Sequence, residues 1–372
     1  MDAKIIILEN SIELTGAFKS ILEYSKSLSS ECDFTFGIQR NSKIENNLRI
    51  NHFNVFHISF LEIRKNINIL IYLPVLIYNT FKILRYVKKN HIKVMHVNDI
   101  YNMLGVMSKI FIPKLYLIYH IRLLKSSYVS KLYAFWGYLI NRYADRIICV
   151  SKTASESYPF NPKKMSVLYD SLSIDPDIKS YHDLKKIDTI DLYYIGNYIE
   201  GKGQDWAIEA FSRALETNPK LRLTFVGGTL GKKKNWQYKK DLIKRTESLN
   251  IQHLVTFMDQ TDEISDQYSK ADIVINFSEN ESFSMVCLES LAYGIPLIAT
   301  ESGGPSEIID QGIDGLLVPN RDVEKMVEAI LTLSQSKKLR KKFSINGPIK
   351  VKDKFDLQKN SIELLKIYRD GI

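Results

Sequence analysis

Short apolar runs alternate with helix-period patterns along the whole chain, which predicts strands and helices in turn and a parallel α/β fold. In the first half, Lys4–Glu9, Cys32–Ile38, Val55–Phe60, Lys93–Asn98, Lys114–Ile121 and Arg146–Ser151 read as buried strands. Amphipathic stretches lie between most of them, among them Phe18–Leu28, Ile69–Lys88 and Ser130–Tyr143. Periodicity fails across Pro159–Asp183, where Pro, Ser and Asp collect, so this stretch reads as a linker. A second series follows, with strands at Asp191–Gly196, Leu221–Gly227, Val255–Met258, Asp272–Ser278, Pro296–Thr300 and Leu316–Pro319. Its helices are Asp205–Glu216, Asn235–Leu249, Ile264–Lys270, Ser284–Tyr293 and Val323–Leu333, with a last helix, Leu357–Tyr368, beyond Pro348. Two doubly wound sheets joined near residue 180 are the economical architecture. Ligands of such sheets bind at the carboxyl ends of strands, so two facing sheets define a cleft.

Composition agrees with two ordinary globular cores. The chain has 372 residues, 45% of them hydrophobic and 25% charged, and single cores stop growing at roughly 250–300 residues. Three distant cysteines, Cys32, Cys149 and Cys287, lack metal-ligand spacing and read as buried thiols in a reducing cytoplasm. No secretory signal is visible, and Ile69–Val87 carries Pro74, Asn79, Lys82 and Arg85, which argues against a membrane span.

Charge changes the picture locally. Between residues 51 and 150 there are 14 Lys and Arg against 3 Asp and Glu, while the remainder is nearly balanced. A solvated basic face is one reading. A surface for anionic lipid head groups or an anionic acceptor is the other, and a peripheral position on the cytoplasmic membrane face follows from it. No nucleic-acid-binding motif accompanies the charge, so nucleic acid is not the expected partner.

The most informative chemistry lies between Ser278 and Gly294. A buried strand ends in a polar turn and a helix begins near Ser284, so the N–H groups of Ser282, Phe283 and Ser284 are expected to point out of the helix start and attract an anion. Glu281 and Glu289 flank this positive end. Carboxylates repel phosphate, so the two are expected to grip hydroxyl groups at either end of a diphosphate.

This segment, E-S-F-S-M-V-C-L-E-S-L-A-Y-G-I-P from Glu281 to Pro296, resembles the E-x7-E element of retaining GT-B glycosyltransferases of family four. The family pattern is roughly E-G-F-G-x-x-x-x-E-A-x-A-x-G-x-P, so Ser282 and Ser284 stand where glycines are usual. The resemblance implies a GT-B fold, two Rossmann-like domains facing across a cleft that holds a nucleoside-diphosphate sugar. Residues 1–182 would form the acceptor-side domain, 183–348 the nucleotide-sugar-binding domain, and 349–372 a helix returning to the first. Glu281 would contact sugar hydroxyls and Glu289 the ribose, with Ser282, Phe283, Ser284 and Met285 at the donor-facing helix start.

Other matches extend the resemblance along the chain, strongly from 190 to 335. Tyr194-Ile-Gly196 followed by Gly201-Lys-Gly203 is similar to the family's phosphate-holding G-R…K-G element, with Lys202 as the Lys and Asn197 at the Arg position. Thr15-Gly16-Ala17 resembles the Gly-Gly loop, which would bring Gly16 near the donor. His120 stands where the family commonly places a His beside the reacting sugar, with a core His as the alternative, and His96 has less support. Gly303-Gly304-Pro-Ser-Glu307 and Gly312–Gly315 resemble a G-G-x-x-E…G-x-x-G stretch. By resemblance, Glu281, Lys202 and His120 are the catalytic set.

No Asp-x-Asp follows a buried strand, and Asp175-Pro-Asp177 falls in the linker. No His/Cys cluster or Gly-x4-Gly-Lys-Ser/Thr loop is present. The expectation is a metal-independent transfer with no cofactor, retention being implied by the resemblance alone. The acceptor would be a glycan or lipid-linked glycan of a bacterial surface polysaccharide. A GT-B-shaped sugar-nucleotide epimerase and an inactive sugar-nucleotide-binding protein are the alternatives.

Overall fold

In a computed structural model, residues 3–59, 68–127, 130–172, 189–259 and 264–372 are described. The apolar runs become short strands, each followed by a helix that carries the chain back across the sheet. The first series is β1 (Ala3–Leu8), α1 (Gly16–Ser27), β2 (Cys32–Gln39), α2 (Ile44–Ile50), β3 (Asn54–Ile58), α3 (Asn68–Lys89), β4 (Val94–Val97), α4 (Leu104–Phe111), β5 (Tyr116–Ile121), α5 (Ser130–Tyr143), β6 (Arg146–Cys149), α6 (Lys152–Glu156) and β7 (Met165–Val167). The second is β8 (Ile190–Ile195), α7 (Gln204–Thr217), β9 (Leu221–Val226), α8 (Lys233–Ser248), β10 (Val255–Met258), α9 (Ile264–Lys270), β11 (Ile273–Asn276), α10 (Met285–Ala292), β12 (Leu297–Thr300), α11 (Pro305–Ile308), β13 (Leu316–Val318), α12 (Val323–Gln335) and α13 (Lys337–Lys354), and α14 (Leu357–Arg369) closes the chain.

The chain divides into two units, Met1–Ser171 with Leu357–Ile372, and Leu172–Asp356. Unit 1 holds a seven-stranded sheet in the order β3-β2-β1-β4-β5-β6-β7, and unit 2 a six-stranded sheet in the order β10-β9-β8-β11-β12-β13. Every pairing is parallel. Strands covered on both faces need apolar residues throughout, and Ile5, Ile6, Ile7 and Leu8 of β1 are all buried. Unit 1 packs Ile5, Phe18, Phe36 and Ile118 into its core, and unit 2 packs Leu192, Phe211, Ile275 and Ile330.

Two expectations are corrected. The stretch read as a linker from Pro159 contains β7, an edge strand paired with β6; its Met165-Ser-Val167 run is broken by a serine and none of its residues is fully buried, so no buried apolar run marks it. The rest of that linker, the Asp175-Pro-Asp177 turn and the expected joint between residues 182 and 183 lie outside the described residues. No helix is expected between Leu333 and Leu357, yet α13 spans Lys337–Lys354 with Pro348 inside it. Close packing outweighs its helix-breaking tendency: a side chain at Gly347 would lie 2.8 Å from the Leu291 carbonyl of α10. The return to unit 1 therefore starts at Leu357, and α14 lies against α1. Among the described residues, no helix is long and apolar enough to cross a membrane.

The last helix is tied to the sheet by a buried polar stack. Tyr368 of α14 hydrogen-bonds His96 Nδ1 at 2.7 Å, and His96 Nε2 lies 3.3 Å from His120 Nδ1. The imidazoles stack at 5.3 Å. Burial first, then the Arg122 charge, lowers the His96 pKa from 6.5 to about 3. Burial, Arg122 and His96 hold His120 well below its ordinary value too. Both rings are therefore neutral in the folded chain. Above pH 6.5 they are neutral unfolded as well and cost nothing. Below it the unfolded chain binds protons that the folded chain refuses, so stability falls with pH by about 1.4 kcal/mol per unit per histidine. His96→Gln keeps a partner for Tyr368 without titrating. Its acid-unfolding curve, followed by urea denaturation from pH 6.5 down toward 3, is predicted to fall less steeply than that of the unaltered chain. Parallel curves would contradict the neutral pair.

Candidate functional site

The predicted cluster in unit 2 is assembled at the carboxyl ends of β8, β11 and β12. Between β8 and α7 the chain turns through Gly201-Lys202-Gly203. Gly203 has φ +79, and a Cβ there would lie 1.9 Å from the Phe277 carbonyl oxygen, so only glycine permits this approach. The Tyr194 hydroxyl donates to the Lys202 carbonyl and accepts the Phe277 N–H at 3.0 Å. Glu279 N–H donates to Gly201 O at 2.9 Å. The loop is thus fastened to the end of β11.

From there Lys202 reaches Glu281, with Nζ 2.7 Å from Oε1. Two residues 79 positions apart, singled out separately in the sequence, form one ion pair. Glu281 is itself pinned by backbone bonds: its N–H donates to Ser302 O at 2.9 Å and its carbonyl accepts Gly304 N–H at 2.8 Å. A Cβ on Gly304 would sit 2.2 Å from Phe283 Cα. The Gly303-Gly304 pair therefore serves close backbone packing under the Glu281 turn.

The helix start differs in detail from expectation. α10 begins at Met285 with Ser284 as its N-cap. Phe283 is buried and edge-on to Phe355 at 5.8 Å, so its side chain belongs to the core. The N–H groups of Met285 and Val286 have no hydrogen bond among the described residues, and they are donors for an anion at this end. Ser284 has φ +92, in the region that favours glycine. Its hydroxyl accepts Asn276 Nδ2 at 3.1 Å and caps Cys287 N–H at 3.4 Å. Ser282 has no such backbone demand.

Glu289 lies one turn deeper and is buried, accepting the Tyr268 hydroxyl at 2.9 Å. Tyr268 in turn stacks on Tyr293 at 4.8 Å. Asn197 serves the fold: its Oδ1 accepts Gly228 N–H at 3.1 Å and its carbonyl accepts Gln204 Nε2 at 3.0 Å. A side chain on Gly227 would lie 1.9 Å from Gly196 O. The two loops cross in close contact there, and the Asn197 amide is one of the bonds that joins them.

In unit 1, Thr15 caps α1 by accepting Phe18 N–H at 3.2 Å, and Gly16 is the first helical residue with an ordinary φ. A threonine at the first position of the expected Gly-Gly loop is thus a helix cap. His120 is completely buried in the His96–Tyr368 stack, the core placement. Its Nε2 has no hydrogen bond among the described residues.

Sequence reasoning missed three positioning groups. Tyr194 stands in a strand and in the Tyr194-Ile-Gly196 match with no role given to its hydroxyl, although a buried tyrosine hydroxyl must find a partner. Asn276 closes the run Ile273-Val-Ile, and a polar residue there was the signal: its Oδ1 accepts Ser278 N–H at 3.1 Å. Glu279, between Trp206 at 3.2 Å and Arg321 at 2.6 Å, braces the loop from outside, and the Arg321 hydrogen bond holds its carboxyl below the usual range.

Two predictions follow from the backbone. Ser284→Gly relieves the φ cost, about 1 kcal/mol, and gives up a cap of similar worth. Ser284→Ala keeps the strain and loses the cap. Thermal melting should rank Gly at or near the unaltered chain and Ala about 1 kcal/mol or more below it; the reverse order would mean that the turn is unstrained. Gly203→Ala should destabilise unit 2 by more than about 3 kcal/mol, and a variant melting normally would contradict the close approach.

Comparisons with known proteins bear on this geometry. Residues 179–350 match the family model described as glycosyl transferases group 1. An exopolysaccharide phosphotransferase of Streptomyces coelicolor is 34% identical over 137 residues, 36% of this chain and 14% of that protein. A D-inositol 3-phosphate glycosyltransferase of Saccharomonospora viridis is 28% identical over 191 residues, 50% of this chain and 44% of that protein. The chain thus spans less than half the length of these curated relatives. The Anabaena protein HepE, solved with UDP-glucose, superposes with TM-score 0.84 at 18% identity, covering 99% of both chains. That likeness shows the fold, GT-B.

Proposed function

We propose that the chain, whose residues 179–350 match the glycosyl transferases group 1 model, transfers a hexosyl or N-acetylhexosaminyl group from a nucleoside-diphosphate sugar to a glycan or lipid-linked glycan, as a step of bacterial surface polysaccharide synthesis. The observation that carries this reading is the meeting of Lys202 and Glu281 beside the start of α10. A diphosphate there finds the Met285 and Val286 N–H groups, the positive end of the helix and a compact cation. It competes with Glu281 for Lys202 and frees that carboxylate to accept a hydroxyl of the donor sugar. Glu289, steadied by Tyr268, is assigned to the ribose.

Breaking the bond between the anomeric carbon and the β-phosphate oxygen leaves extra charge on the diphosphate, which Lys202 and the helix end neutralise. The acceptor oxygen bonds to the same face of that carbon, and its proton passes to the departing phosphate oxygen. Neither carboxylate is needed as a nucleophile, and no metal is assigned a role. HepE's UDP-glucose and the glycosyltransferase relatives support a nucleotide-sugar donor.

The test pairs a transfer assay with melting curves. Lys202→Ala and Glu281→Ala are predicted to lower turnover about 100-fold or more while moving the melting temperature by only a few degrees, because a partly exposed ion pair adds at most about 1 kcal/mol to stability. A chelator should leave the rate unchanged. Loss of folding in Glu281→Ala, or activity lost with the metal, would overturn the assignment. Product masses would reveal an epimerase, and binding of UDP-sugars with no product would reveal an inactive binder.

A further inference from the structure

We propose that the outer face of α3, α4 and α5 in unit 1 docks onto an anionic lipid bilayer, whether or not the chain transfers sugars. The crossovers β3→β4, β4→β5 and β5→β6 all run in one direction across the sheet. Right-handed connections place their helices on one sheet face. α4 packs against both α3 and α5, and Tyr72 and Trp136 bring α3 and α5 within 6.3 Å.

The side of this layer turned away from the sheet is apolar to an extent that water does not favour. Leu73 is 58% exposed, Tyr78 64%, Phe81 63%, Phe111 53%, Phe135 58% and Tyr138 65%. Tyr78 and Phe81 share a helix face with Arg85 by the i, i+3 and i+4 spacings, and Tyr138 shares one with Arg142. α3 carries four Lys or Arg and α5 two, and neither helix contains an Asp or Glu; the one lysine of α4, Lys109, is paired with Asp145 at 2.6 Å. Arg85, Lys88 and Lys89 make no ion pair among the described residues.

Charge chooses the occupant. A second copy seated on this face would set basic helices against basic helices. The partner must be anionic and must also accept aromatic rings standing out from three separate helices. A bilayer rich in acidic lipid does both, because each ring sinks independently to head-group depth while the cations stay among phosphates. Each Lys or Arg near such a surface adds about fivefold in affinity, and salt weakens it.

Flotation of the full chain with vesicles tests this. It should rise with vesicles of phosphatidylcholine and phosphatidylglycerol in equal parts, stay down with phosphatidylcholine alone, and be released by salt. Tyr78→Glu with Phe81→Glu, and separately Arg85→Glu with Lys88→Glu, should each weaken vesicle binding at least tenfold with unchanged melting curves. Should either pair melt early, Tyr138→Glu with Arg142→Glu takes its place on α5. No flotation with the acidic vesicles, or undiminished flotation of the altered chains, would overturn the proposal. So would a dimer in solution that Phe81→Glu dissociates.

Discussion

The approach of the Lys202–Gly203 backbone to the Phe277 carbonyl is the constraint on which the unit 2 site depends. No other residue fits at 203, and the loop it permits is what delivers Lys202 across 79 residues of sequence to Glu281. Tyr194 makes the junction stiff. Burial raises its phenol well above the ordinary value, so the hydroxyl remains a donor to Lys202 O while it accepts from Phe277 N–H. A single buried side chain thereby sets the separation between two loops that carry opposite charges.

The same close fit explains where strain is tolerated. Gly304 lies under Phe283, and Ser284 adopts a glycine-like φ immediately before α10. The hydroxyl bonds of Ser284 offset part of that cost, which is how a serine survives where the family resemblance leads one to look for glycine. The ion pair, by contrast, is held loosely. Its lysine is about one-third exposed, so the pair is worth little and exchanging its partner costs little. Rigid backbone with exchangeable side chains is the arrangement a recurring substrate needs.

Much of this was legible in the sequence. Apolar runs located twelve of the thirteen strands among the described residues because parallel strands are buried on both faces, and the missing one, β7, has no fully buried residue. Glu281 and Glu289 could be singled out because their spacing relates one strand end to one helix, and Lys202 through the resemblance of Gly201-Lys-Gly203 to the family's phosphate-holding element. The distance between Lys202 and Glu281 could not, since it depends on how two loops pack. Asn197 and His120 illustrate the other limit. Each stands at a position with a chemical expectation, but hydrogen bonds to Gly228 and contacts with His96 are tertiary facts with no local signature. The packing of the Phe283 ring and the helix around Pro348 are tertiary in the same way: α10, α13 and Phe355 decide them.

The distribution of charge sets α3 and α5 apart from the other described helices. In unit 2, basic side chains find acids close by, as Arg213 and Arg245 do at Glu209 and Arg321 does at Glu279. That pairing is what a surface facing only water and its own neighbours acquires, because scattered opposite charges lower self-repulsion. In α3 and α5 the acids are missing altogether, and bare aromatic rings stand among the cations. Solubility alone favours neither feature, and the two coincide on one sheet face. On α3 and α5 cations stand beside apolar rings with no acid on either helix, a combination complementary to a surface that supplies both negative charge and a place for the rings.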